Sequence, residues 1–207
     1  MAASDSADQT RPSLLLRLLD PRNAEAWQSF VHVYGPLVYG HARRRGLQHE
    51  DAEDVTQRVF ARVSAAIRTF EYQPDIGRFR DWLGTIVRNE ANRFLKQDQG
   101  IARSRGGEED DGVQSAVAPM ADTAWTSEFN THILQLSLQR AEAHFEPPTW
   151  RAFQRVWLEN APAMQVAEEM GQPIDWVYVA KSRVLKQVWD EVQELADDTT
   201  VSLHELR

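Results

Sequence analysis

The sequence contains no cysteine, only ten glycines in 207 residues and no long hydrophobic run. The absence of cysteine excludes disulfide bonds, thiolate zinc sites and thiol nucleophiles, and it is compatible with a reducing cytoplasm. No segment reaches the roughly 18 apolar residues that indicate a membrane-spanning helix. Residues 1–12 also have neither the basic nor the apolar part of a signal peptide. We therefore expect a cytoplasmic protein with no membrane partner.

The chain is acidic, because 31 Asp and Glu residues against 23 Lys and Arg residues give a net charge of -8. A protein that coats nucleic acid with its whole surface is normally basic, since phosphate contacts supply most of its affinity. Any contact with nucleic acid must therefore come from local basic patches. The hydrophobic fraction of 42%, with seven Trp and eight Phe, is enough for a folded core and excludes global disorder.

Apolar residues recur at intervals of three and four along the chain, which predicts an all-α fold without strands. We expect two small helical domains, residues 14–97 and 127–196, joined by a flexible linker at 98–126. The linker lacks an apolar period and contains Gly106-Gly107, Pro119 and an acidic run at 108–111. The acidic run is either a solvated spacer or an intramolecular mimic of DNA that competes for a basic patch. The predicted helices cover residues 14–19, 24–44 with a kink at Gly35-Pro36, 49–70, 78–96, 127–144 and 149–159, followed by two more that Gly171 separates.

Those last two helices have the pattern of a helix-turn-helix. Pro162 can open the first helix, Gly171 can end it at a positive φ, and Pro173 can open the second helix. In DNA-binding proteins with this motif the second helix lies in the major groove. The side of this helix opposite its apolar stripe carries Asp175, Val179, Ser182, Arg183 and Lys186. An ordinary amphipathic helical hairpin explains the spacing equally well, and the two basic residues favour DNA modestly.

Within the helix predicted at 78–96, residues 79–96 include four basic residues and two acidic ones. Arg, Asn and Thr side chains suit base edges and phosphates. Its polar stripe contains Asp81, Thr85, Arg88, Asn89, Asn92 and Lys96, with Arg93 at the margin. Glu90 falls within the apolar stripe of the same helix, where it needs either a shallow position or a neighbouring cation.

An aromatic and basic loop precedes this helix and includes Tyr72 and Arg78. Aromatic and guanidinium faces stack on any base, so the loop is suited to hold an unstacked base. Phe70 and Tyr72 are explained equally well as the lid of the helical bundle.

The sequence contains no recognisable catalytic or metal-binding pattern. The six histidines lack the spacing of a zinc site. No strand-turn-helix elbow presents a nucleophile, and no glycine-rich loop follows a strand to hold phosphate. We therefore expect no enzymatic activity, no metal and no cofactor.

Three segments resemble, in order, parts of the bacterial sigma factors. Residues 51–60, DAEDVTQRVF, are similar to the helix that grips the clamp of RNA polymerase. Residues 79–89 resemble the segment that reads and opens the minus-ten promoter element, and residues 177–184 resemble the recognition helix for the minus-thirty-five element. Two domains and an acidic linker match the extracytoplasmic-function (ECF) subfamily. Arg58 departs from the pattern, because the family usually has an acid there.

The resemblance implies a sigma factor that directs core polymerase to specific promoters and helps to open the DNA, without chemistry of its own. Its expected partners are bacterial RNA polymerase core and promoter DNA, with an anti-sigma factor as a further candidate. A stand-alone helix-turn-helix regulator, which would bind palindromic half-sites, is the alternative.

The implied site residues fall into three groups. The polymerase contacts are Asp54, Gln57 and Arg58. The minus-ten contacts are Tyr72, Arg78, Thr85, Arg88, Asn89, Asn92 and Arg93. The minus-thirty-five contacts are Tyr178, Val179, Lys181, Ser182, Arg183 and Lys186.

We predict that the purified chain alone binds promoter DNA weakly at physiological salt, because its net charge is -8 and only local patches can neutralise phosphates. Fluorescence anisotropy with a labelled promoter fragment measures this affinity, and core polymerase should strengthen it. Nanomolar binding by the isolated chain would contradict the prediction.

Overall fold

The computed structural model describes residues 14–20, 22–69, 79–98 and 123–196. Every regular element within these ranges is helical, which confirms the predicted all-α fold for this part of the chain. The chain divides into two compact units, Met1–Thr126 and Ser127–Arg207. No helix in the described ranges combines the length and the apolar character that crossing a membrane requires.

The N-terminal unit is built around three long helices. The helices of this unit are α1 at Leu14–Leu18, α2 at Ala24–Arg44, α3 at His49–Ala66 with a 3-10 turn at Ile67–Thr69, and α4 at Phe79–Asp98. The Asn23 side chain begins α2 by accepting a hydrogen bond from the backbone N–H of Ala26 at 3.0 Å. Helix α2 continues through Pro36. Helix α2 packs on α3, and α3 packs on α4.

Aromatic side chains from α2 and α4 form the centre of this unit. Phe30, Tyr34 and Phe79 are fully buried. The ring centroids of Tyr34 lie 4.7 Å from Phe30 and 5.5 Å from Phe79. Burying aromatic rings against one another removes large apolar areas from water and adds favourable ring contacts. These contacts fix the side of α4 that faces inward.

Glu90 lies in the apolar stripe of α4 and is buried. Its carboxylate is 3.3 Å from Arg62 Nε on α3 and 3.5 Å from Arg93 Nη1 on α4. A buried charge is tolerated only when it is paired. Of the two explanations open at the sequence level, the structure therefore shows neighbouring cations.

Helix α5, Thr123–Glu142, begins four residues before the predicted start at 127, inside the stretch expected as linker. The reason is Trp125, which is only 3% exposed and belongs to the N-terminal unit. Its indole Nε1 donates a hydrogen bond to the backbone carbonyl of Arg80 at 2.9 Å. The stretch expected as linker therefore ends in ordered helix.

The C-terminal unit continues α5 and adds three more helices. The predicted helix at 149–159 consists of a short α-helix followed by a π-helical turn. The elements that follow α5 are α6 at Pro147–Phe153, the π-helical turn at Gln154–Leu158, α7 at Ala163–Met170 and α8 at Ile174–Ala196. Helices α7 and α8 share a core with α6, in which Ala152, Val166 and Val177 are fully buried.

A three-residue turn at 171–173 joins α7 to α8. Gly171 ends α7 with a φ of 62° in the left-handed region, as the sequence predicts. Its N–H bonds to the carbonyl of Glu168 at 3.2 Å, and the N–H of Gln172 bonds to that of Ala167 at 3.0 Å. These bonds satisfy carbonyl groups at the end of α7.

We predict that Gly171→Ala lowers the free energy of unfolding by about 1 kcal/mol, because an L-residue is disfavoured in the left-handed region. An added Cβ meets nothing within 4 Å there, so the loss is due to the backbone alone. Urea denaturation followed by NMR signals of α7 measures it. Gly40→Ala, inside α2, is the matched control and should not destabilise the C-terminal unit.

Candidate nucleic-acid interface

The outer face of α4 carries the predicted polar stripe. Asn89 is exposed, while Thr85, Arg88 and Asn92 are half-buried. The Thr85 hydroxyl donates to the carbonyl of Asp81 at 2.9 Å, so its proton is already used and its oxygen remains an acceptor. Because Leu83 and Val87 hold the opposite side of α4 in the core, this stripe faces outward.

Arg45 joins this stripe from the turn that follows α2. Its Nη2 donates to the amide oxygen of Asn92 at 2.7 Å and thereby fixes the orientation of that amide. The sequence analysis missed Arg45, because a contact across 47 residues leaves no periodic signal. The basic run Arg43-Arg44-Arg45 was the available signal.

Arg93 lies at the margin of the stripe, with its side chain 43% exposed and paired with Glu90. Lys96 is exposed one turn further along α4. Both cations can therefore reach a phosphate without unfolding the helix. Tyr72 and Arg78, the other predicted minus-ten contacts, lie outside the described residues.

The predicted polymerase-binding residues divide into two groups on α3. Asp54 and Gln57 are exposed. Arg58 is half-buried, with its guanidinium 5.4 Å from the centroid of the Phe94 ring and Nη1 3.4 Å from Gln97 Oε1. Arg58 therefore packs α3 against α4, through a cation-π contact and a long hydrogen bond.

Helix α8 presents a face that mixes apolar and cationic side chains. Tyr178 and Val179 are 51% and 54% exposed, which is unusual for residues of this size. Ser182, Arg183 and Lys186 are exposed, and Lys181 is half-buried. The Arg183 guanidinium lies 5.9 Å from the centroid of the Phe145 ring, which holds it to one side of the helix.

Residues 30–101 match the family model described as Sigma-70 region 2. This part of the chain is similar to sigma-70 region 2. The match supports a sigma factor of the sigma-70 family, which binds core RNA polymerase and promoter DNA and takes part in promoter melting. Region 2 belongs to a transcription initiation factor that is not an enzyme. Among the described residues, no group of three or more His, Asp or Glu side chains is arranged to hold a metal ion.

The matched residues cover most of α2, all of α3 and all of α4. It therefore contains every residue that we predicted to contact polymerase or the minus-ten element, together with Arg45. The face of α8 lies beyond the match, and its role stays a prediction.

A second polar cluster, also missed by the sequence analysis, connects the π-helical turn to α7. Arg155 pairs with Glu159 at 2.5 Å and with both carboxylate oxygens of Glu169 at 2.9 and 3.0 Å. Gln165 also donates to Glu169 at 2.7 Å. The hydrogen bonds to Glu159 and Glu169 raise the pKa of Arg155. The hydrogen bonds from Gln165 and Arg155 lower the pKa of Glu169.

We predict that the lowered pKa of Glu169 contributes stability above the pKa of the unfolded chain, and that this contribution is lost as pH falls through the folded pKa. NMR titration of the carboxyl group measures the pKa. Gln165→Ala should raise it, because the hydrogen bond from Gln165 is its largest cause. Gln187→Ala, which removes a similar bond to Glu191 at 3.1 Å, should leave the pKa of Glu169 unchanged.

Proposed function

We propose that this protein is a cytoplasmic sigma factor of the ECF type, which directs core RNA polymerase to specific promoters and helps to open them. The observation that carries the proposal is the sigma-70 region 2 match over α3 and α4. A second helical unit, whose α8 presents an exposed apolar and cationic face, supports the assignment to a two-domain subgroup. In this proposal residues 14–97 and 127–196 are the two promoter-binding domains.

The outer face of α4 binds the minus-ten element in this proposal. Arg88 and Arg93 provide charge for the phosphates, and Asn89 is free of the core to meet a base edge. Thr85 offers its hydroxyl oxygen, and Asn92 is held in one orientation by Arg45. Tyr72 and Arg78 hold an unstacked base, which offsets an unstacking cost of about a few kcal/mol.

Helix α8 acts as the recognition helix of a helix-turn-helix. Tyr178 and Val179 stand near its N-terminal end, where a recognition helix contacts base edges, and Val179 offers an apolar surface for a thymine methyl group. Ser182 and Arg183 follow one turn later and contact base edges. Lys181 and Lys186 contact phosphates and set the register on the duplex.

The exposed face of α3 docks on the polymerase clamp through Asp54 and Gln57. Arg58, which the sequence placed in the same contact, packs on Phe94 and holds α3 on α4. A clamp contact on α3 therefore lies next to the helix that binds the minus-ten element. Affinity for a promoter then depends on the sum of polymerase, minus-ten and minus-thirty-five contacts, which suits a chain with a net charge of -8.

In vitro transcription with core polymerase tests this function. The protein should confer promoter-specific initiation on templates selected by sequencing transcripts after overexpression. A stand-alone regulator would change transcription only in the presence of another sigma factor. If the protein directs initiation on none of the selected templates, the proposal is refuted, whether or not the protein binds core polymerase.

We predict that Arg183→Ala weakens promoter binding by the holoenzyme by about 1–3 kcal/mol and reduces discrimination among minus-thirty-five sequences, because it removes a base contact. Lys186→Ala should instead weaken binding equally on all sequences and reduce the salt slope by about one. Binding titrations at several salt concentrations separate the two effects. Gln139→Ala, on the exposed side of α5, is the control and should change neither.

A further inference from the structure

The turn that ends α2 has one defined geometry. The N–H of Gly46 bonds to the carbonyl of Arg43 at 3.0 Å, and the N–H of Leu47 bonds to that of Ala42 at 3.3 Å. Gly46 has a φ of 92°, in the left-handed region, and Leu47 is buried. These are the two hydrogen bonds and the apolar anchor of a Schellman motif. The backbone of Arg45, which directly precedes this glycine, is therefore held in place.

The Arg45 side chain reaches α4, where its Nη2 donates to Oδ1 of Asn92 at 2.7 Å. A guanidinium has N–H donors and no acceptor, so it must face the oxygen of the amide and not the NH2 group. The bond is short and charge-assisted, which places it among the stronger hydrogen bonds of proteins. The chemistry of Arg45 therefore imposes one orientation on the side-chain amide of Asn92.

The NH2 group of Asn92 remains available to a ligand. Within the part of the chain that the structure describes, no hydrogen bond uses Asn92 Nδ2. Asn92 is half-buried, and Arg88 and Asn89 lie one turn before it on the same stripe of α4. At this position the stripe thus offers two N–H donors, next to an oxygen that already accepts from a cation.

Base edges distinguish an unrestrained asparagine from one that is held in this way. An unrestrained asparagine recognises adenine with both ends of its amide, by accepting from N6 and donating to N7. In Asn92 this pair of bonds would have to displace the guanidinium of Arg45. A donor alone suits the keto bases, because guanine O6 and thymine O4 both accept. The amino groups of adenine and cytosine would instead place a donor opposite a donor.

We propose that Arg45 is a positioning residue that gives Asn92 a preference for a keto base, guanine or thymine, over adenine and cytosine. The inference rests on the proposed function, because it assigns a class of base to one residue of the minus-ten surface. Arg45 does not contact this base. It acts through the amide, since it keeps the oxygen of Asn92 occupied and leaves the NH2 group to the base.

NMR relaxation on the free protein tests the pair itself. Arg45→Met removes the donors and keeps much of the apolar side chain, so the side-chain amide of Asn92 should become more mobile. Arg44→Met removes an exposed arginine from the preceding position. It is the matched control and should leave that mobility unchanged. Equal mobility of the Asn92 amide in the parent and in Arg45→Met would overturn the proposal.

Promoter binding by the holoenzyme tests the base preference. Templates with a mismatch at one minus-ten position vary the base on one strand alone, so keto and amino bases can be compared directly. Asn92→Ala identifies the position that Asn92 contacts, because it should abolish the preference there. The parent should favour guanine or thymine at this position by about two- to tenfold, which is the range of one hydrogen bond.

Arg45→Met should bring adenine to within about twofold of the keto bases, because an amide that is free to turn can pair with both ends of adenine. Arg44→Met should change binding to all templates by the same factor. Asn92→Asp keeps an acceptor for Arg45 but has no NH2 group, so it should reverse the preference toward adenine and cytosine. Adding Arg45→Met to Asn92→Ala should cause no further change in base preference.

Three results would overturn the proposal while the proposed function stands. They are a keto preference that survives Arg45→Met, a parent without keto preference where Asn92→Ala acts, and an Asn92→Ala variant that changes no preference. If the parent holoenzyme binds no promoter specifically, the proposed function fails and the reading of a base fails with it. The NMR experiment then still decides whether Arg45 orients Asn92.

Discussion

The N-terminal unit depends on the packing of α4, which has one side in the core and the other side at the surface. Phe79, Leu83 and Val87 hold one side of the helix in the core. The buried carboxylate of Glu90 then fixes the helix in rotation, because only one orientation brings it to Arg62 of α3. With the inward side determined, the outward stripe around Asn89 has no alternative orientation. The same contacts therefore stabilise the fold and determine which residues of α4 are exposed.

In the proposed function, the two cationic surfaces of this acidic chain gain affinity for DNA in different ways. At the α4 stripe two cations are held by the protein itself: Arg93 of α4 pairs with Glu90, and Arg45, from the turn after α2, donates to the amide oxygen of Asn92. On α8 the face includes Tyr178 and Val179, which lose their exposed apolar area only when a ligand covers them. The first surface is preorganised by an ion pair and a hydrogen bond. In the proposed function the second surface gains its binding energy on contact, so its contribution depends on the shape of the groove that it meets.

Periodicity predicted α2 completely and the other long helices to within a few residues, because their apolar residues recur at three and four over five turns or more. The sequence also predicted that Gly171 ends α7, because a positive φ at that position favours glycine. It failed at Trp125, since one tryptophan after a stretch rich in Gly, Pro and acids has no periodic partner. It also missed Arg45 beside Asn92 and Arg155 beside Glu169, because these pairs join different elements and depend on the tertiary fold. Of the predicted site, the polar stripe of α4 could be predicted from the sequence of that one helix. The packing role of Arg58 could not, because it depends on where the fold places Phe94.

Gly84 and Trp125 constrain each other's choice of residue, although they lie on different helices. A Cβ on Gly84 would lie 2.4 Å from the indole Nε1 of Trp125. A larger residue at position 84 therefore displaces the indole and breaks the hydrogen bond from Nε1 to the carbonyl of Arg80. Substitutions at the two positions are for this reason expected to be non-additive in their effect on the free energy of unfolding. A change at one position alters which residues the other can accept.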